Sequence, residues 1–553
     1  LGDICYLPGN FYNDLKLYLT PKPFHDKPSM LFSSYVHRFF FLLGLALSLC
    51  SLPFSPYALS VGLFTATINW LLDGNWRTKW HRFQRNKALW VFLLVYLSIL
   101  VGLPYSQNLG YALKELRLWL PVILVPVVIA TSNPLSVKEF KWLMLLFNGS
   151  LLVATAIITR LVVTTDIRSI SPGSISPFVS HIRLSLMVVF TFFLNNYLIF
   201  RQTDERKAIR FLLSLQTLWL LAFLFILQSL TGIAIFVIIT IAIGFRFSLN
   251  QKQPLLRFGA TALLLSFVLI GVSYLTHSIE RFYTRSYVDF KGLPHRTANG
   301  NPYYHDTLAN QYENGYLVWI NICYPELKSQ WERVSSIPFD GWDRWGQEIK
   351  MTLIRYLASR GLTKDSVGIA KLDSRDIDMI ENGIASVVFR GNRLGLYPRI
   401  YRFLWEIEAY RATNTIGGSS TIQRLVYLKA SWHIIREHPL FGVGTGDGRD
   451  ALMDFYRNSG INLEPRHWHM SHNQFLTVWI MSGLVGLLLF LTGLVAPIFI
   501  ARRQGWFLPS VFLTIILLSM LNEDTFETHI GISFASLFIS ILIFGYDFES
   551  DAK

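Results

Sequence analysis

The chain has 553 residues, 52% of them hydrophobic and only 16% charged. A soluble protein of this length carries about a quarter charged residues, so the composition excludes a soluble globular enzyme and points to an all-α polytopic membrane protein. The formal net charge of +14 would suit nucleic acid. Much of that excess, however, lies in short loops between apolar runs, where positive charge sets membrane orientation, so no nucleic-acid partner is expected.

The first thirty residues are irregular and rich in Pro, Asp and Tyr, and no cleavable signal peptide is apparent. The chain opens on Leu1, and Met30-Leu31-Phe32 stands just before the first apolar run. We expect Met30 to be the biological start, which makes residues 1–35 an N-terminal extension of which 1–29 are not native. The three cysteines, Cys5, Cys50 and Cys323, show neither pairing nor a CxxC spacing, so neither a disulfide framework nor a zinc site is indicated.

Twelve apolar spans follow, the count expected for a bundle of about twelve transmembrane helices. The first nine lie near 36–53, 55–73, 88–104, 116–131, 141–163, 180–200, 210–227, 230–247 and 256–275. The last three lie near 472–500, 506–521 and 528–545, ahead of a short tail at 547–553. Every even-numbered exit is basic. The loop after the second span holds Arg77, Lys79, Arg82, Arg85 and Lys87, and the loop after the fourth holds Lys138 and Lys141. Arg201, Arg206, Lys207 and Arg210 follow the sixth span, Arg246, Lys252 and Arg257 the eighth, and Arg502 and Arg503 the tenth. Five loops therefore place both termini in the cytoplasm and the odd-numbered exits on the outer side.

The interval 276–470 is too long for a structureless loop. It carries an aromatic-rich segment at Tyr316-Leu317-Val318-Trp319-Ile320 and a helical pattern from Gln347 to Leu362, with Ile349, Leu353, Tyr356 and Leu357 on one face. A small, mostly helical domain on the outer side is expected there.

Four polar motifs could carry chemistry. The first is Arg466-His467-Trp468-His469-Met470-Ser471-His472-Asn473, at the mouth of the tenth span. Ionisable groups at a membrane helix end cost free energy unless they have a task. His472 suits a general base, because an imidazole exchanges protons near neutrality. It would also serve as an ordinary helix-start residue, with Ser471 or Asn473 as cap. A His-x-His pair with a third histidine could bind a transition metal, but no acidic ligand accompanies the cluster in the sequence.

The second motif is Ser419-Ser420-Thr421-Ile422-Gln423-Arg424, followed by a helix from Leu425 to Glu437 and then His438-Pro439-Leu440-Phe441-Gly442-Val443-Gly444-Thr445-Gly446-Asp447. Arg424 is either a solvated first-turn residue or a guanidinium fork for a phosphate or diphosphate. The glycine run lacks the Gly-Lys-Ser/Thr of a P-loop and reads as a structural turn. The third motif sets His181 and Arg183 at the outer end of the sixth span, as headgroup anchors or anion contacts. The fourth is Gln228-Ser229-Leu230-Thr231-Gly232, whose hydroxyls contact substrate or cap a helix. With the charge-based topology imposed, all four face the outer side, where ATP is unavailable. A transferred group must therefore arrive already activated on a carrier.

The pattern Arg424, then His438-Pro-Leu-Phe-Gly-Val-Gly-Thr-Gly-Asp447, then Ser471-His-Asn-Gln-Phe-Leu476, then Gly483-Leu-Val-Gly486 resembles the bacterial O-antigen ligase and polymerase superfamily. The 48 residues from Arg424 to His472 match that family's spacing between its essential arginine and histidine. The Ser180-His-Ile-Arg183, Glu313-Asn-Gly315, Arg355-Tyr356 and Lys364-Asp365 segments look like a Bacteroidetes-type branch. The resemblance implies an inverting glycosyltransferase of the membrane C-type class, needing no metal and no cofactor. Its donor would be a glycan on undecaprenyl diphosphate, and its acceptor a hydroxyl of the lipid A core or another glycan. His472 would take the acceptor proton and Arg424 would hold the diphosphate. Arg183, His181, Arg168, Ser229, Thr231, Asn473 and His469 are the expected substrate contacts. The family's Ser-Arg-Gly turn reads Ser229-Leu230-Thr231-Gly232 here, so Arg183 or Arg168 would replace the missing arginine. An O-antigen polymerase or a protein O-oligosaccharyltransferase would share this logic. A glycolipid transporter would instead need ionisable groups at mid-membrane, and the spans are largely free of charge at their centres.

Overall fold

In a computed structural model, the described residues are 33–164, 176–201, 207–344, 346–390, 396–413, 416, 420–501 and 506–546. The expected start at Met30, Arg168, Ser419 and the loop cations Arg206, Arg502 and Arg503 lie outside them.

The chain is an all-α polytopic membrane protein. Among the described residues, seven helices are long and apolar enough to cross a membrane: Ser34–Ser51, Val137–Thr164, His181–Phe200, Lys207–Leu227, Leu230–Leu249, Pro254–Tyr283 and Gln474–Ala501. Four shorter apolar helices, Pro56–Leu72, Lys87–Leu100, Phe507–Met520 and His529–Gly545, fall on four more of the expected spans. The remaining span, near 116–131, is divided between Leu109–Leu118 and Pro121–Thr131. Proline accounts for part of this segmentation. Pro56 and Pro121 sit in the first turn of their helices, where the missing N–H has no intrahelical partner to lose.

One continuous apolar cluster joins these helices, Pro254–Tyr283 excepted. Phe190 packs edge-on against Phe512 and Phe538, and Trp119 against Phe526, so the last two spans and the loop between them close onto the core of the earlier spans.

The Gln474–Ala501 helix is broken at Gly483, whose φ is +67°. An exposed break in a membrane helix would leave backbone groups unsatisfied at several kcal/mol each. Here the turn after Pro439 fills the gap. Val443 and Gly444 donate N–H bonds to the carbonyls of Ile480 (2.8 Å) and Met481 (3.1 Å). Leu484 and Val485 donate to the carbonyls of Pro439 (2.9 Å) and Leu440 (3.2 Å). The approach is so close that a Cβ on Gly483 would lie 2.1 Å from the Leu440 carbonyl oxygen, and one on Gly442 2.4 Å from that of Ile480. The glycine run is thus a structural turn, and its task is to plug a helix break.

The long insertion has its own hydrophobic cluster. Ile349, Leu353, Tyr356 and Leu357, the apolar face expected from the periodicity, are all fully buried in the Ile349–Ser359 helix, against Val318, Leu327 and Trp331. A two-residue hairpin pairs Tyr312–Glu313 with Tyr316–Leu317. From it, the buried Glu313 accepts bonds from Arg355 Nε (2.8 Å), Tyr401 Oη (3.0 Å) and Trp405 Nε1 (3.0 Å). Tyr401 and Trp405 belong to the Tyr397–Thr413 helix, and Glu406 of that helix accepts the Thr421 N–H at 3.1 Å. The insertion is thereby tied to the start of the Ser420–Glu437 helix, which carries Arg424.

Candidate active site

Arg424 stands in the second turn of the Ser420–Glu437 helix. Its Nη1 donates to Asn522 Oδ1 at 3.2 Å and its Nη2 to Glu523 Oε1 at 3.0 Å. The other oxygen of the same carboxylate, Oε2, lies 3.9 Å from His472 Nδ1. That is ion-pair range and longer than a hydrogen bond. One carboxylate therefore spans the two residues that the sequence singled out.

His472 ends the loop ahead of the Gln474–Ala501 helix, with a left-handed φ of +49°. That conformation is uncommon outside glycine and persists where surroundings over-determine it. Asp524 supplies the constraint. Its Oδ2 accepts the His472 backbone N–H at 2.8 Å, and its Oδ1 accepts Thr477 Oγ1 at 2.7 Å and Ser471 Oγ at 3.3 Å. The imidazole leans on the Tyr427 ring, with centroids 5.4 Å apart. Nε2 makes no bond among the described residues and is the nitrogen left for an incoming hydroxyl.

Electrostatics follow from this packing. Burial raises the Glu523 carboxyl, but His472, Arg424 and Arg183 outweigh it and hold its pKa below the ordinary range. Asp524 is more deeply buried, and desolvation pushes its pKa up against the Thr477 and His472 bonds. Partial burial lowers the pKa of His469, with His472, His467 and Arg449 adding to the effect.

The other expected residues divide into those that join this centre and those committed to the backbone. Arg183 feels the charges of Glu523 and Asp524, and its Nε has no hydrogen-bond partner among the described residues. His181 lies within electrostatic reach of Glu523, Arg399, Arg424 and Arg183. Thr231 Oγ1 accepts Asn522 Nδ2 at 3.0 Å, which steadies the amide that Arg424 holds. The His469 ring is 5.8 Å from that of His472. Asn473 takes the capping role: its Oδ1 accepts the N–H groups of Phe475 and Leu476, each at 3.1 Å, while its Nδ2 reaches the Leu521 carbonyl. Ser229 is buried, caps the Leu230–Leu249 helix through the Gly232 N–H, and bonds Ser185 Oγ at 3.0 Å. His467 contributes its carbonyl, which accepts Tyr427 Oη.

Sequence reasoning missed Glu523 and Asp524, and its view that no acid accompanies the histidines is corrected here. The acids arrive from the loop between the last two spans, some fifty positions away in the chain. A signal was present in Asn522-Glu523-Asp524, an acidic group wedged between apolar runs. Among the described residues, no three His, Cys, Asp or Glu side chains converge as a metal site.

Residues 383–491, which hold Arg424, the helix-plugging turn and His472, match the family model described as O-antigen ligase. That stretch of the chain is similar to the O-antigen ligase family. A comparison with the curated proteins found no match. The similarity supports a glycosyltransferase-type enzyme of the O-antigen ligase or polymerase kind acting on lipid-linked glycans, and the apolar helices support a multi-pass membrane protein. The match begins within the insertion, so it covers the helices that present Arg424 and His472 but not the acidic loop at 521–528. That loop brings Glu523 and Asp524 to Arg424 and His472.

Proposed function

We propose that this protein is an O-antigen ligase, moving a glycan from undecaprenyl diphosphate to a sugar hydroxyl of the lipid A core, on the periplasmic face of the bacterial inner membrane. The chief support is the Glu523 carboxylate, which joins a histidine with an open Nε2 to an arginine at one end of a membrane bundle. His472 Nε2 takes the proton of the acceptor hydroxyl as that oxygen attacks the anomeric carbon. The bond from the anomeric carbon to the phosphate oxygen breaks, and its electron pair leaves with the diphosphate. Arg424 and Arg183 stabilise the charge that develops there. Glu523 offsets the positive charge gained by His472 and keeps Arg424 aimed. Attack from the face opposite the leaving group inverts the anomeric centre. The chemistry uses proton transfer and fixed cations throughout, so we expect it to need no metal ion.

The test is transfer in vitro from a defined undecaprenyl-diphosphate glycan to purified rough lipopolysaccharide, by wild type and by His472→Ala. Product with wild type and none with the variant is the expected result. In a deletion strain, loss of every capped ladder band accords with a ligase. A surviving single-repeat band would reassign the protein as a polymerase, and an intact ladder with underglycosylated proteins as a protein O-oligosaccharyltransferase.

A further inference from the structure

Arg399 opens the Tyr397–Thr413 helix and is partly buried. Its Nε and Nη2 both donate to Gln228 Oε1, at 3.2 and 3.0 Å. That acceptor is a neutral amide. No carboxylate lies within ion-pair distance of Arg399 among the described residues, and its charged neighbour is another cation, Arg402. A guanidinium taken out of water without an anion is costly unless an anion arrives.

Gln228 begins the tight turn whose Thr231 supports Asn522 and, through it, Arg424. The backbone of Gln228 is itself left-handed, at φ +52°. Arg399 and Arg424 are thus fastened to the two ends of one short turn, and His181 lies within reach of both. Three guanidiniums, those of Arg183, Arg399 and Arg424, lie within electrostatic reach of His181, while Glu523 acts on Arg183 and Arg424 and Asp524 is already occupied by the His472 backbone. The cluster thus holds three guanidiniums against two carboxylates, and the one on Gln228 has only a neutral acceptor among the described residues.

We propose that Arg399 is a phosphate-binding residue of the site, gripping the diphosphate of the lipid-linked donor from the Gln228 end of the turn while Arg424 grips it from the Thr231 end. The assignment rests on the ligase reading given above. When the diphosphate is absent, Gln228 holds the guanidinium in place, and the ligand displaces that weak neutral contact with a bidentate charged one.

The experiment uses the full chain in nanodiscs of neutral lipid and undecaprenyl diphosphate, without glycan, as the probe. Arg399→Gln should weaken probe binding roughly 10- to 100-fold and raise the donor KM more than it lowers kcat. Arg399→Lys should recover part of the loss. Gln228→Leu removes the tether and keeps the cation, so it should bind within about threefold of wild type. Wild-type binding by Arg399→Gln overturns the proposal. A Gln228→Leu defect as deep as that of Arg399→Gln also overturns it, because Arg399 would then be only a brace for the turn. If Arg424→Gln weakens binding and Arg399→Gln does not, the Arg399 assignment alone fails; if neither does, the diphosphate site itself fails. Phosphatidylglycerol added to the nanodiscs should not displace the probe. Displacement at equal concentration would make Arg399 a headgroup anchor and sink the proposal.

Discussion

Glu523 and His472 face each other across 3.9 Å, and the same carboxylate holds Arg424 at 3.0 Å. The proposed base and the proposed leaving-group cation share one counter-charge, so neither can be moved without disturbing the other. The carboxylate is largely buried, where water screens the interaction poorly.

His472→Ala and Arg424→Ala should each abolish transfer with membrane insertion unchanged. Loss of a general base costs about 10²–10⁴-fold, and removal of a charge-stabilising donor about 10²–10³-fold. In vitro transfer assays paired with membrane-fraction blots measure both effects. Chelator in the wild-type assay should leave the rate intact.

Glu523→Gln should lower kcat more than it changes KM, because the charged partner of the protonated histidine is lost while Arg424 keeps its Asn522 bond. The variant also tests stability. Glu523 has a folded pKa below its unfolded value, so its ionic contribution is present above the unfolded pKa and disappears as pH falls through the folded one. The melting-temperature gap between wild type and Glu523→Gln should therefore be largest at neutral pH and close below the ordinary glutamate range. A gap that does not change with pH would count against a charged Glu523.

Asp524→Ala removes the acceptor of three donors: the His472 N–H, Thr477 and Ser471. Each orphaned donor costs about 1–3 kcal/mol. The His472 backbone would then relax from its left-handed conformation. We expect activity to fall to the level of His472→Ala while Arg424-dependent binding of undecaprenyl diphosphate persists. Hydrogen exchange at residues 470–474 would report the relaxation directly.

Gly483→Ala should prevent assembly of the helix break. A left-handed alanine costs roughly 1–2 kcal/mol, and the added methyl would meet the Leu440 carbonyl oxygen at 2.1 Å. Size-exclusion profiles of the solubilised variant should show little monodisperse protein. A well-folded Gly483→Ala would mean that the turn after Pro439 can shift away.

Glu313→Ala should loosen the insertion from the Tyr397–Thr413 helix, because Arg355, Tyr401 and Trp405 all converge on that one buried carboxylate. Truncating one member of such a network costs about 3–5 kcal/mol. Limited proteolysis within 284–396 should accelerate, and the donor KM should rise as the helix bearing Arg399 becomes mobile.

Much of the bundle was legible because burial in lipid demands long apolar runs, and each expected span coincides with one or two helices. The Ile349–Leu357 face was legible for a similar reason, since its period of apolar residues matches its helix. Arg424 and His472 stood out as polar groups beside apolar spans, with a known spacing between them. Ser229 and Asn473 show the reverse problem: a hydroxyl or amide at a helix start looks the same whether it caps a backbone or meets a substrate. Glu523 was illegible as a partner of His472, because nothing local distinguishes an acid in a short connecting loop from a solvated one.

The sequence by itself determined that this is a membrane bundle with a folded insertion, because hydrophobic length and periodicity are properties of consecutive residues. Only the tertiary structure decided that the loop at 521–528 meets the mouths of the Ser420–Glu437 and Gln474–Ala501 helices, and that Gln228 faces Arg399. Those contacts depend on which helix ends packing brings together, and a carboxylate acquires its role only from the cations it lands beside.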